Sequence, residues 1–404
     1  MNRLLNLVLK EEVQNFIFSH EKEDVGKLLL RHKTLYGVPT EWIANQLIGR
    51  LKAKSKYPLL YRQKGIIYPP TLHLEQSSSE AAAGFKLDVL RKLLSPRLAI
   101  GYGADLTGGF GIDTYFLSLH AEKLDYVEPD EGLAEIARHN HALLGAHNIS
   151  YHVSTAEDFL KETSHKFDFI YLDPSRRKGH QKVYKLVESE PDVVKLQSNL
   201  LHRSNSVLIK TSPLLDLQQG CRELQHVSQI IVVAVENECK ELLFLLRRDF
   251  DGDPKIRAVD LSREGKIHNS VTFTQIEEQK SVLEFSSPLS YLYEPGAAIL
   301  KAGAFKWMAQ HYKLKKLGPN THLYTSDSLS AFPGRIFKVI DQVKPDKKLV
   351  SRFPNGYANI LTRNYPLQVA EIKKKTGLKE GGELYLICTQ SGNTRQMIVA
   401  ERIQ

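Results

Sequence analysis

Between residues 97 and 250 short β-rich segments alternate with helical stretches, and that alternation admits few folds. Strand, helix and strand in succession close most readily as a parallel sheet with helices on both faces. The expected strands are 98–105, 124–128, 149–153, 167–172 and 206–210, followed by 230–235 and 242–246. Only Glu236-Asn-Glu-Cys-Lys-Glu241 separates the last two, too little for a helical crossover, so this pair is predicted to be an antiparallel hairpin. The fold class is therefore α/β, with a Rossmann-like seven-stranded core of five parallel strands closed by the hairpin.

The rest of the 404 residues surrounds that core. With 42% apolar and 25% charged residues the composition is that of packed globular domains. Residues 1–70 read as an N-terminal helical domain, with Leu28, Leu29, Leu30, Ile43, Leu47 and Leu51 at helical spacings and Gly37-Val-Pro39 interrupting them. Ser77 and Glu80 stand at capping-box spacing before an alanine-rich helix. The core domain spans 71–250, and Asp249-Phe-Asp-Gly-Asp-Pro254 is a turn-rich boundary. Two small α+β units follow, 251–328 with a helical stretch at 297–311, and 329–404. In the latter, 335–343 and 356–362 are expected strands, and a helix is expected from Pro366 to Gly377. A hairpin of 383–389 and 395–402 about Gln390-Ser-Gly-Asn-Thr394 closes the chain.

Composition also excludes classes. Apolar runs such as 230–235 fall far short of the ~18 residues of a membrane span, and the N-terminus lacks a cleavable signal, so a cytoplasmic protein is expected. Cys221, Cys239 and Cys388 fit neither a disulfide framework nor a metal pair, and no metal is expected. Residues 301–404 carry 18 Lys+Arg against 7 Asp+Glu, whereas the rest is close to neutral. A basic C-terminal quarter points to a polyanionic partner, against the alternative of a merely solvated surface.

Chemistry concentrates at two loops. Asp105-Leu-Thr-Gly-Gly-Phe-Gly-Ile-Asp113 follows the first strand and opens a helix. Gly108, Gly109 and Gly111 remove Cβ atoms where backbone must approach a ligand, and the helix start adds donors. Glu128 ends the second strand, where such folds carry the acid that accepts a ribose diol. Thr114 occupies the position of the last glycine in a dinucleotide fingerprint, which weakens a nicotinamide reading. The fourth strand runs into Leu172-Asp-Pro-Ser-Arg-Arg-Lys178, which sets a carboxylate at the carboxyl edge of the sheet.

Together these residues resemble the class I S-adenosylmethionine (SAM)-dependent methyltransferases, whose acidic-x-Gly-x-Gly-x-Gly loop is matched with Thr107 in place of the first glycine. The chain also resembles bacterial members of that class that carry a ferredoxin-like domain and a C-terminal THUMP-like domain. Leu74-Glu-Gln-Ser-Ser-Ser-Glu80, Glu294-Pro-Gly-Ala-Ala-Ile-Leu-Lys-Ala-Gly303 and Leu378-Lys-Glu-Gly-Gly382 carry this wider likeness, beside the two loops. It implies that 71–250 is the methyltransferase domain, 251–328 ferredoxin-like and 329–404 THUMP-like. SAM is the implied cofactor, held by Asp105, Thr107, Gly108, Gly109, Gly111, Asp113, Glu128, Thr155 and Ala156. Asp173, Pro174, Ser175 and Arg176 are the implied catalytic residues. The implied partner is structured RNA, such as tRNA or rRNA, held by Arg177, Lys178, Lys373, Lys374 and Lys375.

Departures refine the chemistry. Thr155 stands where the family commonly has an adenine-binding acid, and Asp173-Pro-Ser-Arg176 lacks the base-stacking ring of many amino-methylating enzymes. The loop after the fifth strand, Lys210-Thr-Ser-Pro213, has no cysteine nucleophile, which disfavours covalent C5 methylation relative to N-methylation. Two alternatives stay open: an inactive RNA-binding or assembly factor on this fold, and a methyltransferase acting on protein or a small molecule.

Overall fold

The computed structural model describes residues 2–94, 100–175, 177–178, 181–182, 185–343, 347–391 and 394–404. The chain divides into two compact units, one of residues 1–236, 240–252 and 261–266, the other of 237–239, 253–260 and 267–404.

The first unit holds strands β1 (Ile100–Asp105), β2 (Ala121–Val127), β3 (Ile149–His152), β4 (Phe169–Leu172), β5 (Ser206–Thr211), β6 (Val227–Val235) and β7 (Glu238–Arg247). They lie in the order β6-β7-β5-β4-β1-β2-β3. The β1-β2, β1-β4, β2-β3 and β4-β5 pairs are parallel, and β7 runs antiparallel to β5. This is the class I methyltransferase fold. The sheet starts at its centre and winds outward both ways, so the loops leaving β1 and β4 meet at the reversal of strand order, where open α/β sheets bind ligands. Every residue of β4 and β5 is buried, as parallel strands covered on both faces require. The turn between β6 and β7 is shorter than the apolar runs implied. It consists of Glu236 and Asn237, both at positive φ (51° and 61°), the backbone of a tight hairpin whose twist suits the strands.

Among the described residues seven helices precede the sheet: α1 (Asn2–Val8), α2 (Glu11–Ser19), α3 (Val25–Arg31), α4 (Thr40–Lys56), α5 (Pro58–Arg62), α6 (Thr71–Gln76) and α7 (Glu80–Leu94). Their buried side chains, among them Val13, Ile17, Leu28, Ile43, Leu47 and Tyr57, form one cluster with Phe110, Ile112 and Ile136 of the sheet region. Of the leucines read at helical spacings, Leu29 and Leu30 are exposed because successive residues turn about 100° around a helix, away from buried Leu28, and Leu51 is exposed as well. The capping box expected of Ser77 and Glu80 does not form. Ser79 caps α7, its hydroxyl 3.3 Å from Ala82 N, while the Glu80 carboxylate accepts the Leu59 N–H of α5 at 2.6 Å. The sheet's own helices are α8 (Ile112–Ser118), α9 (Glu131–Leu143), α10 (Ala156–Glu162), α11 (Val193–Arg203) and α12 (Leu217–Glu223).

In the second unit β8 (Lys255–Leu261), β9 (Ile267–Thr274) and α13 (Gln275–Lys280) precede a sheet of β10 (Tyr291–Pro295), β11 (Lys315–Gly318), β12 (Thr321–Ser326), β13 (Gly334–Val343), β14 (Tyr357–Arg363), β15 (Lys379–Ser391) and β16 (Thr394–Arg402). The order is β11-β12-β10-β13-β16-β15-β14. A single sheet thus runs through both C-terminal stretches, because β10 pairs with β12 on one side and β13 on the other. The expected helix at 297–311 is broken by Gly303, at φ +80°, into α14 (Ala297–Ala302) and α15 (Phe305–His311). Pro366 does not open the last helix, α16 (Val369–Thr376); Gln368 does, in a capping box with Glu371. The closing hairpin forms, and Gly392 and Asn393 of its turn lie outside the described residues. No helix among the described residues is long and apolar enough to cross a membrane.

Candidate active site

The loop after β1 is held by its own side chains. The Asp105 carboxylate is buried; one oxygen accepts the Thr107 N–H at 3.0 Å and the other the Thr114 hydroxyl at 2.6 Å. Burial pushes its carboxyl up to about 7 against those two hydrogen bonds, with the charges of Asp113 and Asp173 adding to the rise. Asp105 therefore shapes the loop from within. The three glycines serve different needs. A Cβ on Gly108 would lie 2.2 Å from the Tyr126 ring, and one on Gly111, at φ +87°, would lie 2.6 Å from His141 Nε2. Gly109 has φ +52°, and a Cβ there would meet nothing nearer than 3.9 Å, so its outer face is open space. His141 braces the turn: burial pushes its pKa down to about 4, and the neutral ring donates from Nε2 to the Gly111 carbonyl at 2.8 Å.

Glu128, at the end of β2, is half-buried and binds the same loop. Its carboxylate accepts the Gly109 N–H at 2.8 Å and the Asp130 N–H at 3.0 Å, which leaves further acceptor sites on a carboxylate whose pKa burial raises. Thr155 caps α10, its hydroxyl engaged with Asp158 N (3.1 Å) and Asp158 Oδ2 (2.9 Å), and Ala156 is buried behind it.

The loop after β4 meets the first loop directly. The Asp173 N–H donates to the Thr107 hydroxyl at 2.6 Å, and the Leu106 N–H donates to the Tyr171 carbonyl at 3.0 Å. Thr107, a departure from the family pattern in sequence, is the tether between the loops. The Asp173 carboxylate, 30% exposed, is ion-paired with Lys210 at the end of β5. Burial raises the Asp173 pKa while Lys210 opposes that rise, and the Lys210 ammonium is held above its ordinary range by Asp173, Asp113 and Glu241 despite burial. Pro174 is buried and Ser175 exposed, and the Ser175 N–H and carbonyl are both bonded to Glu190. Arg176 lies outside the described residues. Arg177 and Lys178 form one arm of a two-residue pairing with Gln181 and Lys182.

Below these loops is a charge cluster that sequence reading missed. The Lys86 ammonium of α7, fully buried, reaches Asp113 Oδ1 at 3.1 Å and Glu241 Oε1 at 2.7 Å. Asp113 Oδ2 accepts from the hydroxyls of Ser78 and Tyr171, each at 2.8 Å. Burial alone would lift the Asp113 carboxyl, but Lys86, Lys210 and these hydroxyls hold it below the usual range. Asp113 thus faces the buried cluster, together with Ser78 of the segment before α7. In the second unit Lys373, Lys374 and Lys375 occupy the last turn of α16; Lys373 pairs with Glu380 at 2.6 Å, and the other two are exposed. Among the described residues no group of three or more potential ligands could hold a metal ion.

Comparison with known proteins gives matches at both levels. A ferredoxin-like domain model matches residues 291–333 and a THUMP domain-like model matches residues 334–402. A solved structure described as a "putative methyltransferase", from Porphyromonas gingivalis W83, is 29% identical, with 100% of this chain and 99% of that one covered at a TM-score of 0.85. An rRNA methylase from Streptococcus thermophilus is 15% identical over 40% of this chain and 93% of its own, at a TM-score of 0.30. No curated protein matches the chain.

Proposed function

For a chain that joins the class I methyltransferase fold to a ferredoxin-like and a THUMP-like domain, we propose a SAM-dependent methyltransferase that acts on a base nitrogen of structured RNA, tRNA or rRNA. The observation that carries this reading is the bond of 2.6 Å between Asp173 N and Thr107 Oγ1, which couples the acceptor-side carboxylate to the cofactor-side loop. The residues present fit the cofactor. The open face of Gly109 leaves room for it, the spare acceptor sites of Glu128 suit a ribose diol, and the backbone at Thr155 and Ala156 would border the adenine. When bound, SAM supplies a methyl group on a sulfonium, already reactive, so the protein's task is mainly positioning.

Asp173 would hold the acceptor nitrogen by accepting one of its N–H bonds, aim the lone pair, and take up the proton that the methylated nitrogen releases. Lys210 fixes the direction of that carboxylate and favours its charged form. The Pro174 carbonyl would accept a second N–H from an exocyclic amine. The loop that leaves β5, residues 212–216, has no cysteine, and Cys221 lies in α12, so attack by a thiolate on a pyrimidine carbon is not part of the reading. In this scheme residues 71–250 carry the reaction. Arg176, Arg177 and Lys178, with Lys373, Lys374 and Lys375 of the basic terminal quarter, would hold RNA phosphates. The test is transfer of labelled methyl from SAM into RNA from cells lacking the gene, followed by nucleoside analysis. Label in a nuclease-sensitive N-methylated nucleoside supports the proposal, and label only in protein or small molecules overturns it.

A further inference from the structure

We propose that a cavity in the second unit, built on the Glu294-Pro-Gly296 turn and flanked by Arg335 and Arg402, binds one nucleotide, with its phosphate on the two guanidiniums and its base against the turn. The site stands apart from the methyl-transfer reading. The candidate active site lies in the first unit, whereas every residue that lines this cavity belongs to the second.

The cavity holds about 350 Å³, within the range of ligand pockets and more than a lone anion fills. Its polar rim is Asn237, Asp260, Asn269, Glu294, Arg335 and Arg402, while Pro295, Ala298 and Pro333 add apolar surface. The stretch from Glu294 to Gly303 carried part of the family likeness in sequence, yet no step of methyl transfer uses it. Its backbone is tied on two sides: the Gly296 N–H donates to the Pro333 carbonyl at 3.2 Å, and the Asn237 side chain accepts the Ala297 N–H at 2.7 Å.

Glu294 is buried, and both its oxygens are taken. Arg335, its cross-strand partner on β13, meets Oε2 through Nε at 2.7 Å and through Nη2, and Arg363 meets Oε1. A guanidinium has five N–H donors, so Arg335 is held in place with three to spare. Arg402 stands opposite Phe337 in the pairing of β13 with β16. That makes it the diagonal neighbour of Arg335 on the same face, with backbone positions about 7–8 Å apart. It spends Nε on the Gln404 main-chain oxygen at 2.9 Å, which leaves the four donors of its terminal nitrogens. Two such forks side by side suit the oxygens of a phosphate. Charge alone does not choose the ligand, since Asp260 and Glu294 balance the two arginines of the rim. The combination does. Asp260 gives Oδ1 to the Asn237 N–H at 2.9 Å, and its second oxygen suits an N–H donor such as the exocyclic amine of a base. An anion joined to an amine-bearing ring is a nucleotide, either free or a residue of an RNA strand. An α-amino acid carries matching charges but leaves much of the volume empty.

The test is calorimetric titration of the full chain with cytidine 5′-monophosphate, uridine 5′-monophosphate, inorganic phosphate and glutamate, with excess S-adenosylhomocysteine present to fill the candidate cofactor site. One cytidine monophosphate should bind per chain, more tightly than phosphate or glutamate. Arg402 is exposed, so Arg402→Met should keep its melting temperature and bind cytidine monophosphate ten-fold or more weakly, the loss of a charged hydrogen bond. Asp260→Asn keeps an acceptor for Asn237 and should narrow the preference for cytidine over uridine monophosphate. A short, mixed-sequence, single-stranded RNA distinguishes the two sources. A slope of log affinity against log salt lower by about 0.7 in Arg402→Met assigns the cavity to a residue of the strand, and unchanged RNA binding with cytidine monophosphate lost assigns it to a free nucleotide; either supports the site. Wild-type binding of both probes by Arg402→Met overturns it. So does phosphate or glutamate that binds as tightly as cytidine monophosphate, or a wild type that binds neither the mononucleotides nor the RNA. Methyl transfer measured on the same wild-type protein tells failure of this site from failure of the proposed function.

Discussion

Replacing Lys86 by methionine roughly keeps the length of a fully buried side chain and removes the cation that, among the described residues, salt-bridges both Asp113 and Glu241, whose side chains are 10% and 2% exposed. Breaking a buried ion pair from one side costs about 3–5 kcal/mol, because the remaining charge keeps its desolvation penalty and loses its partner. For a unit of this size that is a fall in melting temperature of roughly 6–20 °C, at 2–4 °C per kcal/mol. The sign of the pH dependence follows from Asp113. In the wild type its carboxyl lies below the usual range, so its contribution is full at neutral pH and is lost as pH falls through the acid range. Without Lys86 the Asp113 carboxyl rises, the native variant binds a proton that the unfolded chain has released, and the deficit grows from pH 5 to pH 8. Calorimetric melts at both pH values measure this, and Glu241→Gln added to Lys86→Met should recover much of the loss at pH 8. A deficit under about 1 kcal/mol, or one equal at both pH values, refutes the reasoning.

Three further outcomes follow from the loops. Thr107→Val leaves the Asp173 N–H without its acceptor, a loss of about 1–3 kcal/mol, and should slow methyl transfer ten-fold or more, whereas Thr107→Ser should be near wild type in single-turnover assays. Gly111→Ala combines a positive-φ cost of roughly 1–2 kcal/mol with overpacking of about 1–3 kcal/mol against His141, so its melting temperature should fall clearly while Gly109→Ala falls less. Asp173→Asn should abolish transfer with SAM affinity within a few-fold of wild type by calorimetry; retained turnover removes Asp173 from its proposed role.

The sheet was legible because β4 and the end of β6 are apolar runs, and because the six residues that separate the runs 230–235 and 242–246 of β6 and β7 allow only a hairpin. The loop after β1 was legible for a similar reason, since its backbone at φ +52° and +87° favours glycine whatever the ligand, and the loop after β4 was legible from its Asp173-Pro174 at a strand end. The support beneath the loops was not. Lys86 and Glu241 are 155 positions apart, and nothing local distinguishes either from a surface charge. Ser77 and Glu80 satisfied a local spacing rule, yet tertiary partners took both: Ser77 bonds to Tyr57 and Leu74, Glu80 to the start of α5. The same holds at the C-terminus, where the pairing of β10 with β13 depends on strand contacts about 40 residues apart, beyond any short-range signal.

The most direct test of the central claim is calorimetric titration of the purified full chain with SAM and with S-adenosylhomocysteine, with Gly109→Arg as the blocked control. Gly109 faces open space, so arginine there carries the positive-φ cost of roughly 1–2 kcal/mol without overpacking; the variant should stay folded with a lowered melting temperature while filling the volume that the cofactor needs. The account predicts saturable one-to-one binding by the wild type, and none by Gly109→Arg. A folded wild type that binds neither compound, or a Gly109→Arg variant that binds as well as wild type, contradicts it.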